Sequence, residues 1–149
     1  MNITVVGAPE LSARLSRVAA NIGKMLPEFQ LVGEELKHFY ETVPFLSQGT
    51  IYGAGWEPLN PKYKAWKENH WRGKGILVES GKMMDSFAYK ANEVSVVIYN
   101  ESKLFEYHQM GTTKMPQRIM MKLDTDRKTL VIDTISKSLR ERINAAWAL

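Results

Sequence analysis

Three histidines, His38, His70 and His108, are the residues of this chain best suited to proton transfer or metal binding near neutral pH. No two of them stand at the His-x-x-x-His spacing that turns both rings to one side of a helix. His38 falls in an amphipathic series, His70 lies between Asn69 and Trp71, and His108 precedes Gln109, so each reads as a surface or hydrogen-bonded structural histidine. The serines form no Gly-x-Ser-x-Gly elbow. Gly49-Thr50-Ile51-Tyr52-Gly53-Ala54-Gly55 is glycine-rich, but it lacks the Lys-Ser/Thr ending of a phosphate cradle. There is no cysteine, which removes disulfides, thiolate nucleophiles and Cys-based metal sites and suits a reducing compartment or a particle built inside a cell. The expectation is a protein without catalytic residues, cofactor or metal.

The densest positive stretch is Lys62, Lys64, Lys67, Arg72, Lys74 and Lys82, interleaved with Tyr63, Trp66 and Trp71. Cations with aromatic rings between them can follow a phosphate backbone and stack on bases, so a small nucleic-acid-binding module over residues 62–82 is one reading. Glu57, Glu68 and Glu79 share the stretch, and a solvated, mixed-charge loop is the plainer reading. The excess of 20 Lys and Arg over 16 Asp and Glu gives only +4, which permits DNA or an acidic surface as partner and selects neither.

The elements that would hold these residues follow from periodicity. At 149 residues and 44% apolar composition the chain suits one domain, 1–149, with one core. No basic n-region precedes a long apolar stretch, and no apolar run approaches the roughly 20 residues of a spanning helix, so neither secretion nor membrane insertion is expected. Residues 2–6 read as a short strand. Leu11, Leu15, Val18, Ile22 and Met25 recur at threes and fours and predict a helix, with Pro9 in its first turn. Pro27 breaks it at Leu26, and Phe29, Val32, Leu36, Phe39, Tyr40 and Val43 predict a second helix ending near Pro44.

From residue 47 to 81 glycines and prolines interrupt any long element, leaving a long Gly/Trp-rich loop with one short helix around Tyr63–Glu68. A loop of that length in a compact domain points to binding. Phe87 and Tyr89, a turn at Asn92-Glu93, and then Val94, Val96 and Ile98 predict a β-hairpin whose second strand is apolar on both faces. Leu104–Gln109 reads as a helical turn ended by Gly111, and Arg118–Leu123 as a further strand. Asp124 or Thr125 caps a long final helix striped by Val131, Ile135, Leu139 and Ile143. The fold class is therefore α+β: N-terminal helices, a small antiparallel sheet with a long loop, and a long C-terminal helix.

Certain words recur in a definite order. They are Trp56-Glu57-Pro58-Leu59 followed by Tyr63 and Lys67, Ile76-Leu77-Val78-Glu79-Ser80-Gly81-Lys82-Met83 with Ser86, Val94-Ser95-Val96-Val97-Ile98, Tyr107-His108-Gln109-Met110-Gly111, and Met115-Pro116-Gln117-Arg118. This order, over about residues 45–145, resembles the phage virion morphogenesis family, which includes Mu-like tail completion and head-tail joining proteins. Leu104-Phe105-Glu106-Tyr107 departs from the family's Tyr-Ala pair before His-Gln, and Ile119-Met120 from the aromatic residue common after Pro-x-Arg.

The resemblance implies a non-enzymatic structural protein of the virion at the head-tail junction (neck) or in tail completion, present in the host cytoplasm during assembly. It implies that Trp56 and Leu59 anchor the loop, that Gly81 and Gly111 permit turns, and that His108, Gln109 and Arg118 make polar contacts within the chain or with a neighbouring subunit. Together with Tyr63, Trp66, Lys67 and Trp71 they form the candidate assembly surface. The partners it implies are copies of the chain in a homo-oligomeric ring, a hexamer being one form, and other neck and tail proteins (adaptor or stopper, tail terminator or tail tube). Lys and Arg would meet acidic partners or non-specifically touch DNA in the channel. No membrane contact is implied.

Overall fold

The computed structural model describes residues 8–148. The strand read over residues 2–6 lies outside them. α1 (Ala8–Ile22) is followed after a short link by α2 (Leu26–Leu46), and Pro27 occupies the first turn of α2, where its missing N–H costs nothing. α2 continues past Pro44 to Leu46, two residues further than the sequence suggests. It can do so because Pro44 sits in the last turn, where its own carbonyl accepts the Gly49 N–H (2.8 Å) and the chain then closes through a 3-10 turn at Thr50–Tyr52.

α2 is the centre of the molecule. One side packs on the antiparallel hairpin β1 (Phe87–Ala91) and β2 (Val96–Asn100), another on α5 (Thr125–Ala148), and α1 rests on α5. Val32, Leu36, Tyr40 and Phe45 of α2 meet Phe87, Trp56 and Met120 in one core. Gly33 lets strand and helix approach: a Cβ there would lie inside the Tyr89 ring. The register Tyr89↔Ile98 and Ala91↔Val96 puts these residues on the core face, while Val97 (57% exposed) and Tyr99 take the outer one. Val94, read as strand, sits instead in the turn, where the Asn92 side chain accepts the Val94 and Ser95 N–H groups. No other described residue hydrogen-bonds the backbone along either outer edge of the hairpin.

Asp124 accepts the Arg127 N–H at the start of α5, as its capping position predicts. The apolar series of α1 behaves differently from expectation. Leu11, Leu15 and Ile22 are 49, 53 and 41% exposed, because α5 covers only part of that helix. No helix among the described residues is long and apolar enough to cross a membrane.

The strand expected at Arg118–Leu123 does not form. Four successive carbonyls of this segment accept side-chain donors instead: Ile119 from Trp56 Nε1 (2.9 Å), Met120 from Tyr52 Oη (3.4 Å), Met121 from Gln109 Nε2 (2.7 Å) and Lys122 from Tyr40 Oη (2.9 Å). Backbone groups need partners when buried, but not backbone partners.

Candidate functional site

The long loop is built around Gln48. Its Nε2 donates to the Phe45 carbonyl and its Oε1 accepts the Ile76 N–H (2.5 Å), while the Trp56 N–H donates to the Gln48 carbonyl (2.8 Å). Trp56 thereby turns inward, edge-on to Phe45 at 5.6 Å between centroids. Asn60 caps the next helix, α3 (Pro61–His70), by accepting the Lys62 N–H, with Pro61 at its first position. This is longer than the Tyr63–Glu68 turn read from the sequence, because cap and proline lie upstream of the first apolar residue.

α3 presents two unlike faces. Tyr63, Trp66 and His70 stack along one, at 5.6 and 4.3 Å between centroids, with Trp66 46% exposed. On the other, Lys67 is buried and its Nζ donates to the Gly75 carbonyl (2.5 Å). Burial holds the Lys67 pKa below its ordinary value, with the Glu79 carboxylate pulling the other way. Lys62, Lys64, Arg72, Lys74 and Lys82 stay exposed, and Trp71 is half-buried.

A short helix, α4 (Phe105–Met110), carries His108 and Gln109 and ends at Gly111. Gly111 has φ +74°, and a Cβ would meet the Gln117 nitrogen at 2.9 Å, so the resemblance's turn glycine is a steric necessity. The chain folds back so that the Arg118 N–H donates to the His108 carbonyl (2.7 Å), while Arg118 Nε and Nη2 both donate to the Glu57 carbonyl (3.3 and 3.0 Å). Gln109 Oε1 accepts from the Met120 and Met121 N–H groups (2.8 and 3.1 Å) and its Nε2 reaches the Met121 carbonyl. One side chain thus substitutes for a neighbouring strand. Gln109→Ala is expected to cost about 2–3 kcal/mol by leaving three backbone groups without partners, and to speed amide exchange at Met120 and Met121 selectively. Uniform exchange rates in the variant would contradict this clamp.

Four of the five sequence words converge, all but the hairpin word over residues 94–98. Leu59, Tyr63, Lys67, His108 and Arg118 line one cavity of about 550 Å³, together with Leu77, Glu79 and Leu104 from the 76–83 and 104–110 segments. The Tyr63 hydroxyl donates to Glu79 Oε1, which pushes the Tyr63 pKa up to about 12. Burial, with Arg118 nearby, pushes the His108 pKa below its ordinary value, so the imidazole is neutral at pH 7. Neither ring nitrogen has a hydrogen bond among the described residues, and Nδ1 is enclosed. Trp56 and Gln109 stand behind the wall as supports, and Trp66 and Trp71 lie outside it. Sequence reading missed Gln48 and the Glu57 carbonyl, whose roles are set by contacts 28 and 61 residues away.

Chemically, the cavity offers cations and a neutral imidazole. Among the described residues, no carboxylate hydrogen-bonds and orients the His108 ring, and no group of three or more His, Asp or Glu side chains is placed to hold a metal ion. A model of the phage virion morphogenesis family matches residues 7–140. No curated protein and no solved structure gives a significant match.

Proposed function

The chain belongs to the phage virion morphogenesis family and is thus a protein of virion assembly, and we propose that it acts at the head-tail junction or in tail completion, by complementary surfaces and without making or breaking a bond. The observation that carries this reading is the convergence of four of the five ordered words on one recess that polar side chains shape by holding backbone: Arg118 on Glu57 and Lys67 on Gly75 in its lining, and Gln109 on Met120 and Met121 behind it. Such residues fix a shape, and shape is what a docking protein must present.

Around the recess, surface suited to neighbours is uncovered. Leu104 at the start of α4 and Tyr107 and Met110 within it are 60, 55 and 69% exposed, and Trp66 stands on α3. Large apolar and aromatic side chains in such clusters are the anchors of protein contacts. The open hairpin edges and the exposed face of α1 give a copy of the chain two further places to pair, in keeping with a closed ring, a hexamer among the forms it can take. Tails made by a phage lacking this gene, mixed with the purified protein and then with filled heads, should yield infectious particles. Tails that join heads equally well without it would overturn the reading.

The nucleic-acid reading of residues 62–82 has one observation in its favour, the exposed Lys62, Lys64, Arg72 and Lys74 near Trp66. Against it, the Tyr63, Trp66 and His70 rings stack mainly on one another, which takes up faces that a base would use, and Lys67 is turned inward.

A further inference from the structure

The cavity between α3 and α4 contains more positive charge than it neutralises. Lys67, Lys82 and Arg118 line it against a single carboxylate, Glu79. Lys67 and Arg118 are only 4 and 5% exposed, yet no carboxylate lies within ion-pair distance of either among the described residues: their hydrogen-bond partners are the neutral carbonyls of Gly75 and Glu57, and the Glu79 and Glu57 carboxylates act on them only from further away. Buried cations are ordinarily paired, because desolvation without an opposite charge is costly. Arg118 Nη1 donates to nothing among the described residues, and an ammonium has three protons where Lys67 has one acceptor. His108 adds a ring with two unused nitrogens. The other walls are apolar: Leu59, Leu77, Leu104 and Met115.

We propose that this cavity receives an extended acidic segment of another virion protein, its carboxylate held by Arg118 and Lys67 and a neighbouring apolar side chain seated against Leu59, Leu77 and Leu104. This rests on the assembly reading above and names the chemistry of the partner. Three features select the occupant. The cations are recessed behind apolar walls, where a single side-chain carboxylate fits and a phosphate backbone does not, since DNA is held by exposed Lys and Arg. Guanidinium and ammonium together suit a carboxylate, which takes charge-assisted hydrogen bonds from both. The chain itself carries +4, so an acidic protein is favoured over a second copy by long-range charge as well.

The test follows the His108 ring by NMR in the full-length chain, using the capped peptide acetyl-Leu-Glu-Leu-amide, its Gln counterpart and an oligothymidylate. The acidic peptide should shift the ring signals and raise the midpoint of the ring's titration, as a negative charge brought beside it must. The Gln peptide should bind about tenfold more weakly or worse. Arg118→Gln should abolish the difference between the peptides. Because Arg118 also braces Glu57, two rim variants serve as folded controls: Lys82→Glu should weaken the acidic peptide about threefold, and Leu104→Asp should weaken both peptides. Equal binding of both peptides to the unaltered protein would overturn the proposal, as would a response to the oligothymidylate alone. An unresponsive His108 in a preparation that still restores head joining would remove this inference and leave the assembly role standing. Peptide discrimination in a protein that fails to restore joining would do the opposite.

Discussion

Replacing Trp56 with alanine should cost about 4 kcal/mol, the usual range for emptying a buried large aromatic site. Trp56 is 9% exposed, lies edge-on to Phe45 and donates Nε1–H to the Ile119 carbonyl across 63 residues of sequence. The alanine variant would lose the ring's contacts, leave a cavity beside Phe45 and leave that carbonyl unpaired. Domains of this size have about 5–15 kcal/mol in total, so the urea midpoint should fall by at least about a quarter of its wild-type value, read by far-ultraviolet circular dichroism. Trp56→Phe keeps a ring and loses the donor, and should cost roughly half as much. Gly49→Ala should resemble Trp56→Ala, because a Cβ there would lie within the indole while φ at +80° adds backbone strain. A Trp56→Ala midpoint within error of wild type would show that the indole does not hold the loop. Since Glu57, the next residue, receives Arg118, loss of the indole should also open the cavity wall and with it the docking surface.

What the sequence made legible is what local periodicity encodes. Val32, Leu36, Tyr40 and Val43 mark one face of α2, and Phe87, Tyr89, Val96 and Ile98 mark the core face of the hairpin, because spacing by threes and fours or by twos is a property of neighbours. Gly111 was legible for the same reason: a short helical turn that must reverse needs a residue free of Cβ. The segment after Arg118 was not. Met120 between Ile119 and Met121, flanked by Arg118 and Lys122, has the texture of a strand, yet its hydrogen-bond partners are Tyr40, Tyr52, Trp56 and Gln109, which no local pattern names. Charge and spacing likewise do not separate Lys67 from Lys62 and Lys64, although the family resemblance names it. Only the placement of the Gly75 carbonyl makes it the buried member of the set.

The same limit bears on the site. The ordered words named a set of residues without their division of labour: Lys67, His108 and Arg118 face a shared cavity, Trp56 and Gln109 brace it from behind, and Trp66 stands outside the lining, stacked on Tyr63. A word records that several residues are needed. It does not record whether each is needed for its outward contact or for its inward one, and in this chain most hydrogen bonds made by the word residues run inward. Uncovered apolar surface lies partly within a word, on Tyr107 and Met110 on either side of the inward-turned His108 and Gln109, and partly beside it, on Leu104.

The second large effect is expected far from the cavity, at Glu28. This carboxylate in the first turn of α2 has no exposed surface, accepts from Arg142 Nη1 (2.6 Å to each oxygen) and from Ser138 Oγ (3.0 Å), and so ties α2 to α5. Arg142 Nη1 also reaches the Lys24 carbonyl (2.8 Å), drawing in the link from α1. Deleting one member of such a buried pair strands the other, and Glu28→Ala should cost about 3–5 kcal/mol at neutral pH. Burial pushes the Glu28 carboxyl up, but the hydrogen bond and charge of Arg142, its own backbone amide and Ser138 outweigh it and hold the pKa below the ordinary 4.5. A carboxyl whose folded pKa lies below its unfolded one adds stability that is complete above about 4.5 and disappears as pH falls through the folded value. The gap between wild type and Glu28→Ala in urea midpoint should therefore narrow on acidification, from about pH 6 to about pH 3, while Glu28→Gln should show less pH dependence than wild type across that range. A gap that stays constant with pH would mean that Glu28 holds the helices by packing and not by its charge.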